Sequence, residues 1–526
     1  MLNIDNKNSF IYEHKDIVIN ILGGLNDDKL ESLVVTVKVK KKDSFRNYRH
    51  TINLYNASQV EKLIAKISEH LEIRLLTLRP AFIELTEQLE QYRFKIQESD
   101  EESSINYVLN AEDTKEAQEF LKSPKLLERT NNAARSSGII GEEINTLLMY
   151  LIFTSRKTDN PLHCISFGSS GAGKTHLQQK VSELIPPEDR VEITQLSANA
   201  FYYFKQYELK NKLVLIEDMD GAEDGLLPLR ELQTKKRISK SVVQKSVGGR
   251  GRTYNQVVEG PVCVAGCTTK ESMYEDNSNR SFLIYIDESS EQDERIMTYQ
   301  RMKYAGKVDE DYELQSARLL RNVQRLLKPI KVVNTFAEYL ELPKTVFKPR
   351  RTNIHYLQLI EVITYYHQFQ REKKYDETSG EEFIETTLED IQWANKLIKD
   401  VLLRKSDRLN RVTRDYFESL TKYLSNKNTT VYHNQEIRCE FRISEPTLRR
   451  YHKLLEGEGY IRKRNDIKGD SFHYEVLDVN EFQNLENAIE NALQLCIDLV
   501  TSSQVRHSQN DGVKSLNDND LKSTRH

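Results

Sequence analysis

Gly168, Ser169, Ser170, Gly171, Ala172, Gly173, Lys174 and Thr175 run consecutively and spell a complete GxxxxGK[ST] phosphate loop. Glycines let the backbone turn back so that successive N–H groups point at phosphate oxygens. Lys174 is placed to reach the β- and γ-phosphates, and the Thr175 hydroxyl to ligate Mg²⁺. Average residue usage produces the pattern by chance about 0.02 times in a chain of this length. Leu162 to Phe167 reads as a strand just before the loop. Leu177, Val181, Leu184 and Ile185 have one-face helical spacing just after it. Strand, glycine loop and helix in that order are what the motif needs. The reading is an ATP site with Mg²⁺; the bland alternative is a glycine-rich turn with an incidental lysine.

Downstream, Leu213-Val-Leu-Ile-Glu217-Asp218 reads as a buried strand delivering two carboxylates to its C-terminal edge. Glu217 would join Thr175 in the Mg²⁺ shell, and Asp218 would polarise the attacking water. Taken alone, the stretch also fits a strand ending in a solvated acidic turn. Val262 to Cys267 is a further strand candidate, and Thr268-Thr269 at its tip could touch the γ-phosphate or the water. Asn277-Ser-Asn-Arg280 precedes the apolar run Phe282 to Ile286. Arg280 reads as a surface cap or as a charge at a subunit edge; an arginine supplied by a neighbour raises phosphoryl-transfer rates by about 10³–10⁵.

Working outward, short apolar runs alternate with helical patterns between residues 160 and 290, which predicts an α/β domain around a mostly parallel sheet. The expected division is an N-terminal α/β unit at 1–95, a linker and helical segment at 96–135, an ATPase core at 136–305, a helical lid at 306–405, a small αβ module at 406–480, and a helix with a disordered tail at 481–526. Residues 97–104, QESDEESS, are the expected linker, and the tail from Thr501 has few apolar residues. In the N-terminal unit, Leu33 to Val39 and Tyr48 to Leu54 read as strands and Val60 to Leu76 as a helix.

Two segments are candidates for nucleic acid. Between Arg230 and Arg252 lie Lys235, Lys236, Arg237, Lys240 and Lys245, with Glu231 the one acid. Ser239 to Val247 alternates and Gly248-Gly249-Arg-Gly251 makes a turn, so a cationic hairpin suited to a phosphate backbone is expected. A solvated basic insertion is the alternative. Near the C-terminus, Gln435 to Phe441 and Leu448 to Gly457 read as helices joined by a turn, with Ser444 as N-cap. Two strands follow, joined at Lys468-Gly469. The pattern resembles a winged helix, with Arg449, Arg450 and Lys453 offered to a major groove; its balanced charge fits a protein partner as well.

Composition bounds the rest. The chain has 526 residues, 30% charged and 38% hydrophobic, with a net charge of −4, so any basic surface is local. No apolar stretch is long enough to span a bilayer, and MLNIDNKNSFIYEHKD lacks a signal-peptide pattern; a cytoplasmic protein is expected. Five cysteines without paired CxxC spacing, and histidines without HExxH, argue against disulfides, a zinc ribbon or a protein-ligated transition metal.

The order of these elements resembles the AAA+ helicases of the minichromosome-maintenance type, in the helix-2-insert and pre-sensor-hairpin class. The nearest likeness is to helicase modules of bacterial mobile-element replication proteins, which are often fused to a zinc-finger primase. The carriers are TINLYNASQ, FLKSPKLLERTNNAARSSGIIGEE, SRKTDNPLHCISFGSSGAGKT, LVLIEDMDGAEDGLLPLREL, GPVCVAGCTT and DNSNRSFLIYIDESSEQ. The resemblance implies an AAA+ P-loop core with a helical lid and a C-terminal winged helix. It places Thr268 at sensor 1, Arg280 as a trans-acting finger, the basic segment as a channel hairpin, and Arg350 or Arg351 at sensor 2. It implies a homo-oligomer, a hexamer as in such relatives, on single-stranded DNA, with replication proteins such as a primase as partners. No zinc finger or primase metal motif accompanies it here. The expected function is an ATP-driven DNA translocase or helicase in mobile-element replication. The rivals are an ATP-gated DNA-binding initiator and a protein-remodelling defence ATPase.

Overall fold

A computed structural model describes residues 2–520 except 7–8, 24–31, 43, 103–108, 195, 198, 221–224, 246–250, 270–278, 465–472 and 478–479. The chain divides into two compact units, Met1–Val108 and Leu109–His526.

The first unit is an antiparallel meander of five strands, β1 (Leu2–Asn6), β2 (Ser9–His14), β3 (Ile17–Leu22), β4 (Val34–Lys41) and β5 (Asn47–Asn53). Helices α1 (Ala57–Leu71) and α2 (Leu75–Glu102) follow. In β4 the period-2 pattern buries Val35, Val37 and Val39 in one core with Ile64, Ile67, Leu78 and Phe82 of the helices. The expected helix to Leu76 stops early, because Glu72 takes a left-handed conformation at φ 54°. The expected linker at 97–104 continues α2 as far as Glu102. Glu and Gln are good helix formers, so polarity there excluded burial rather than helix. Strands β1 to β3 were not anticipated.

The second unit is organised by a five-stranded parallel sheet. Its strands are β6 (Cys164–Phe167), β7 (Arg190–Ile193), β8 (Lys212–Ile216), β11 (Val262–Thr268) and β12 (Phe282–Tyr285), in the order β12-β6-β11-β8-β7. Strands β9 (Arg237–Lys245) and β10 (Gly251–Glu259) form a separate antiparallel hairpin between β8 and β11. Continuous apolar runs make strands buried on both faces. Cys164, Leu213, Leu215, Cys263, Ala265, Phe282 and Ile284 face one hydrophobic cluster. Their alternates Ile165, Phe167, Val214, Ile216, Val264 and Leu283 face another. Helix α5 (Glu143–Thr154), buried from Thr146 to Thr154, fills the first; α7 (Leu226–Lys235) caps the second with Leu226, Leu229 and Leu232.

Beyond β12 come α8 (Ser290–Tyr304), α9 (Glu310–Leu326), α10 (Pro349–Tyr366) and α11 (Leu388–Ser406). This stretch, expected to be nearly all helical, also holds a three-stranded sheet of Lys331–Val333, Glu382–Glu385 and Lys374–Tyr375. Strands of two to four residues are too short to show a period. The C-terminal module runs helix α12 (Arg411–Asn426), strand Val431–His433, helices α13 (Asn434–Phe441) and α14 (Glu445–Gly457), then strands Ile461–Arg464 and His473–Val476. The expected turn at 468–469 lies outside the described residues. The expected disordered tail continues a helix from Glu481 to Asp520.

One buried ion pair ties these layers. The Arg156 side chain, 0% exposed, donates from Nη2 to Asp189 at 2.6 Å and from Nη1 to Gln324 Oε1 at 2.7 Å. Gln324 in turn donates to Thr154 Oγ1 at 2.7 Å. Removing Arg156 leaves Asp189, a quarter exposed, without its cation and leaves the buried Phe153 carbonyl and Gln324 Oε1 without a donor, at a cost of about 1–3 kcal/mol. Arg156→Ala is therefore expected to lower stability by about that amount, read as a fall in the urea midpoint. A change below about 1 kcal/mol would show that the pair holds nothing together.

Candidate nucleotide site

The phosphate loop joins the C-terminal end of β6 to helix α6 (Lys174–Ser182). Gly171 and Gly173 hold φ of 84° and 90°, a conformation that side chains with a Cβ resist. Lys174 is buried, and its ammonium donates to the carbonyls of Gly168 and Ser169 at 3.0 and 2.6 Å. Thr175, Ser169, Ser170, Glu217 and Asp218 are exposed at the same edge of the sheet. Beneath them lies the buried Cys267. Burial pushes its thiol up to about 12, while Thr175 and Lys174 act to lower it and Asp218 to raise it. Asp218, Thr175 and Lys174, distant in sequence, therefore share one neighbourhood. A hydroxyl and carboxylates beside a glycine loop fit a Mg²⁺ carried in with a nucleotide. Among the described residues, no three His, Cys, Asp or Glu converge on a metal of their own.

Strand β11 lies between β6 and β8, which brings Thr268 beside the loop strand, opposite Phe167. Asp220 organises this corner. Its carboxylate accepts from the Thr268 hydroxyl, from Thr269 Oγ1 at 2.6 Å and from the Thr269 N–H at 3.1 Å. The Asp220 N–H donates to Asp218 at 2.8 Å. Asp220 was not anticipated from the sequence, although it stands in the quoted acidic turn.

A second unanticipated acid holds the loop from the other side. Glu288 accepts from the Ser169 N–H at 2.9 Å and from its hydroxyl at 2.8 Å. Burial acts to raise this carboxyl, but the Ser169 bonds and the Arg411 and Lys174 charges hold it below its usual range. Arg411, the first residue of α12, lies 3.7 Å from Glu288 and also donates to the Ile286 carbonyl. The C-terminal module is thus tied directly to the phosphate loop. The signal was present: Phe282-Leu-Ile-Tyr-Ile-Asp287-Glu288 repeats the apolar-strand-then-two-acids pattern of Leu213 to Asp218. A cleft of about 740 Å³ opens between the Gly138–Gly141 turn and α8, lined by Ile140, Gly141, Glu291 and Thr298.

Arg280 stands elsewhere. It precedes β12, whose Phe282 pairs with Cys164 at the start of β6, so it lies at the opposite end of the strands from the loop. Four residues of strand separate the two ends by about 13 Å. Arg280 donates to Thr234 Oγ1 at 3.1 Å and lines a cavity of about 310 Å³ with Lys236, His163, Arg351 and His355. Among the described residues, no carboxylate lines it. His163 is pushed down to about 3 by burial and then by Arg280; His355 is pushed down to about 3 by burial and then by Lys405, His163 and Arg351. Both imidazoles are therefore neutral near pH 7, and the cavity's positive charge comes from Arg280, Arg351 and Lys236. Arg351, expected at the nucleotide, joins Arg280 instead; Arg350 is exposed on the first turn of α10.

The basic segment forms the β9–β10 hairpin, with Arg237 opposite Glu259 and Lys245 opposite Gly251. Several of its cations are engaged at its base. Lys235 pairs with Glu231 at 2.5 Å, Lys236 donates to Asn160 at 2.8 Å, and Arg237 lies 3.8 Å from Glu259. Lys240 donates to Asn199 at 2.6 Å and sits 5.4 Å from the Tyr202 ring. The expected turn at 248–251 falls largely outside the described residues, as does the Lys245 side chain. In the C-terminal module, Arg449 pairs with Glu445 at 2.6 Å, while Arg450 sits over Tyr451 and Lys453 is exposed on α14.

Asp220→Asn keeps the size of the side chain but weakens the grip on Thr268 and Thr269. Groups that orient working residues are worth roughly 10- to 100-fold in activity. Nucleotide turnover is expected to fall by about that factor with little change in nucleotide affinity, measured by steady-state phosphate release beside equilibrium binding. Unchanged turnover would remove Asp220 from the site.

Residues 110–329 match the family model described as the MTBMA_p00010 P-loop domain. No curated protein matches the sequence. Among solved structures, the chain is similar to a full-length MCM homolog from Methanopyrus kandleri at 14% identity and a TM-score of 0.37, over 57% of this chain and 63% of that one. It is also similar to Drosophila ORC bound to DNA at 12% identity and a TM-score of 0.21, over 70% and 91%. The chain spans less than two thirds of the length of the archaeal protein. Loop, sheet order and family match together make the second unit's centre a P-loop domain around a parallel sheet.

Proposed function

We propose that the protein is an ATP-driven DNA translocase that works as a ring of identical subunits in the replication of a mobile element. The observation that carries this reading is the division of the site. Lys174, Thr175, Glu217 and Asp218 stand at one end of the parallel sheet, and a cavity lined by Arg280 and Arg351 stands at the other. Neither arginine reaches the loop of its own chain. A second copy that sets this cavity against the first copy's phosphates completes the site. The Thr175 hydroxyl and Glu217, together with the phosphates, would hold a Mg²⁺, which would supply charge neutralisation there. Asp218 polarises the attacking water, Thr268 orients it through Asp220, and the neighbour's Arg280 stabilises charge developing on the transferred phosphoryl group. The base and ribose occupy the cleft beside Ile140 and Gly141. The β9–β10 hairpin projects from the core as a cationic arm on the DNA phosphates, and the C-terminal module, read as a winged helix, presents α14 to DNA.

One observation favours a second reading, an ATP-gated initiator. The Arg411–Glu288–Ser169 connection runs from the first helix of the C-terminal module to the phosphate loop, so nucleotide could set the posture of a DNA-binding module without translocation. Strand displacement on a forked substrate separates the two. Unwinding by the wild type and none by Lys174→Ala supports translocation; defined duplex binding with no unwinding supports the initiator. ATP turnover that is indifferent to DNA across salt concentrations would instead favour a protein-remodelling ATPase.

The division of the site is tested by mixing. Arg280→Ala and Lys174→Ala are each expected to lose turnover, with ATP binding kept by Arg280→Ala. Together they should recover part of the wild-type rate, because mixed interfaces pair an intact loop with an intact arginine. No recovery at any ratio, with oligomers formed, would show that Arg280 does not act on a neighbour's phosphate loop.

A further inference from the structure

We propose that the β4–β5 hairpin of the N-terminal unit is a separate contact for single-stranded DNA, holding phosphates along its solvent face and stacking a base on Phe45. This shares the DNA partner of the reading above but is independent of translocation.

The segment Val34 to His50 contains Lys38, Lys40, Lys41, Lys42, Arg46 and Arg49 against one acid, Asp43, in a chain whose net charge is −4. The fold sorts these cations. Because Val35, Val37 and Val39 are buried against the helices, Lys38 and Lys40 point to the opposite face. Antiparallel register sets Lys38 directly opposite Arg49, with Thr36 opposite Thr51 and Lys40 opposite Asn47. Like charges facing each other across a ladder are destabilising. An anion laid between them relieves that repulsion, and the hydroxyls of Thr36 and Thr51, 2.9 Å apart, extend the polar track. Among the described residues, Lys38, Lys40 and Arg49 make no ion pair. Lys42 and Arg46 reach Glu13 at 2.8 Å and Glu72 at 3.9 Å, in pairs that are largely exposed and so exchange easily for another anion.

The hairpin tip adds the second element. The Ser44 N–H donates to the Lys41 carbonyl at 3.1 Å, and Ser44 Oγ accepts from the Arg46 N–H at 3.1 Å. These bonds shape the turn, yet Phe45 between them is 105% exposed. An aromatic ring held in water at the end of a cationic track is the combination that single-stranded nucleic acid binds: phosphates to the cations, and any base to the π-face. An acidic protein surface would use the cations but has no need of the ring.

The test uses the full-length protein without nucleotide, binding fluorescent oligo(dT) over a salt series. Lys38→Gln with Arg49→Gln should flatten the slope of log affinity against log salt by about 1.4, from roughly 0.7 per phosphate contact. Phe45→Ala should weaken binding about tenfold with the slope unchanged. Both variants should retain the wild-type ATP turnover measured without DNA, with a melting temperature no lower than that of the wild type, since Lys38→Gln with Arg49→Gln removes a cross-strand repulsion. Wild-type affinity and slope in both variants would overturn the proposal. So would a cation effect without any Phe45 effect, together with full competition by poly-glutamate, which would point to an acidic protein. Failure of the translocase reading shows separately, as ATP turnover that DNA does not stimulate.

Discussion

Burial of the parallel sheet on both faces is the constraint on which the rest of the second unit depends. A strand whose alternate side chains, such as Cys164 and Ile165, enter two different cores cannot slip by one residue without exchanging them. Register is therefore fixed, and every strand delivers its C-terminal end to the same edge. That edge collects Gly168 to Thr175 from β6, Glu217 and Asp218 from β8, and Thr268 from β11. It equally obliges residues that precede strands, Arg280 among them, to stand at the other edge. The separation of Arg280 from the phosphate loop of its own chain is a consequence of strand polarity, not of any special placement of the arginine.

Within that frame, the carboxylates are of two kinds. Glu217 and Asp218 are exposed at the C-terminal end of β8. Asp220 and Glu288 are committed to the protein's own donors, one fastening the Thr268 corner and the other fastening Ser169. Glu288 is also where the C-terminal module meets the loop, through Arg411. A carboxylate bonded to the backbone of a phosphate loop feels any anion that arrives there, because like charges in a partly dry site repel more strongly than in water. This makes the loop a natural point of exchange between nucleotide and the C-terminal helices.

The cations are distributed by the same logic of burial and exposure. Lys235, Lys236 and Arg237, which look in sequence like the heart of a nucleic-acid contact, stand at the base of the hairpin in exposed contacts with Glu231, Asn160 and Glu259. Lys38 and Arg49, which stand apart in sequence and belong to an otherwise ordinary meander, are set side by side on one open face. Charge density along a chain therefore ranks these segments differently from charge density on a surface.

What the sequence determined by itself is what depends on local stereochemistry. Glycines at 171 and 173 permit a positive φ, apolar runs of four to seven residues make buried strands, and strand–loop–helix order makes a phosphate site. Those properties need no partner distant in the chain, so the loop, the acidic strand and the Thr268 strand were all legible. Only the tertiary structure decided which strand lies beside which, that Arg351 joins Arg280 away from the loop, and that Arg411 reaches Glu288. Parallel strands are joined by long crossovers whose sequence does not encode the neighbour. The contacts that complete the site are therefore set by packing of whole layers, where a residue's partner is chosen by burial on both sides of the sheet.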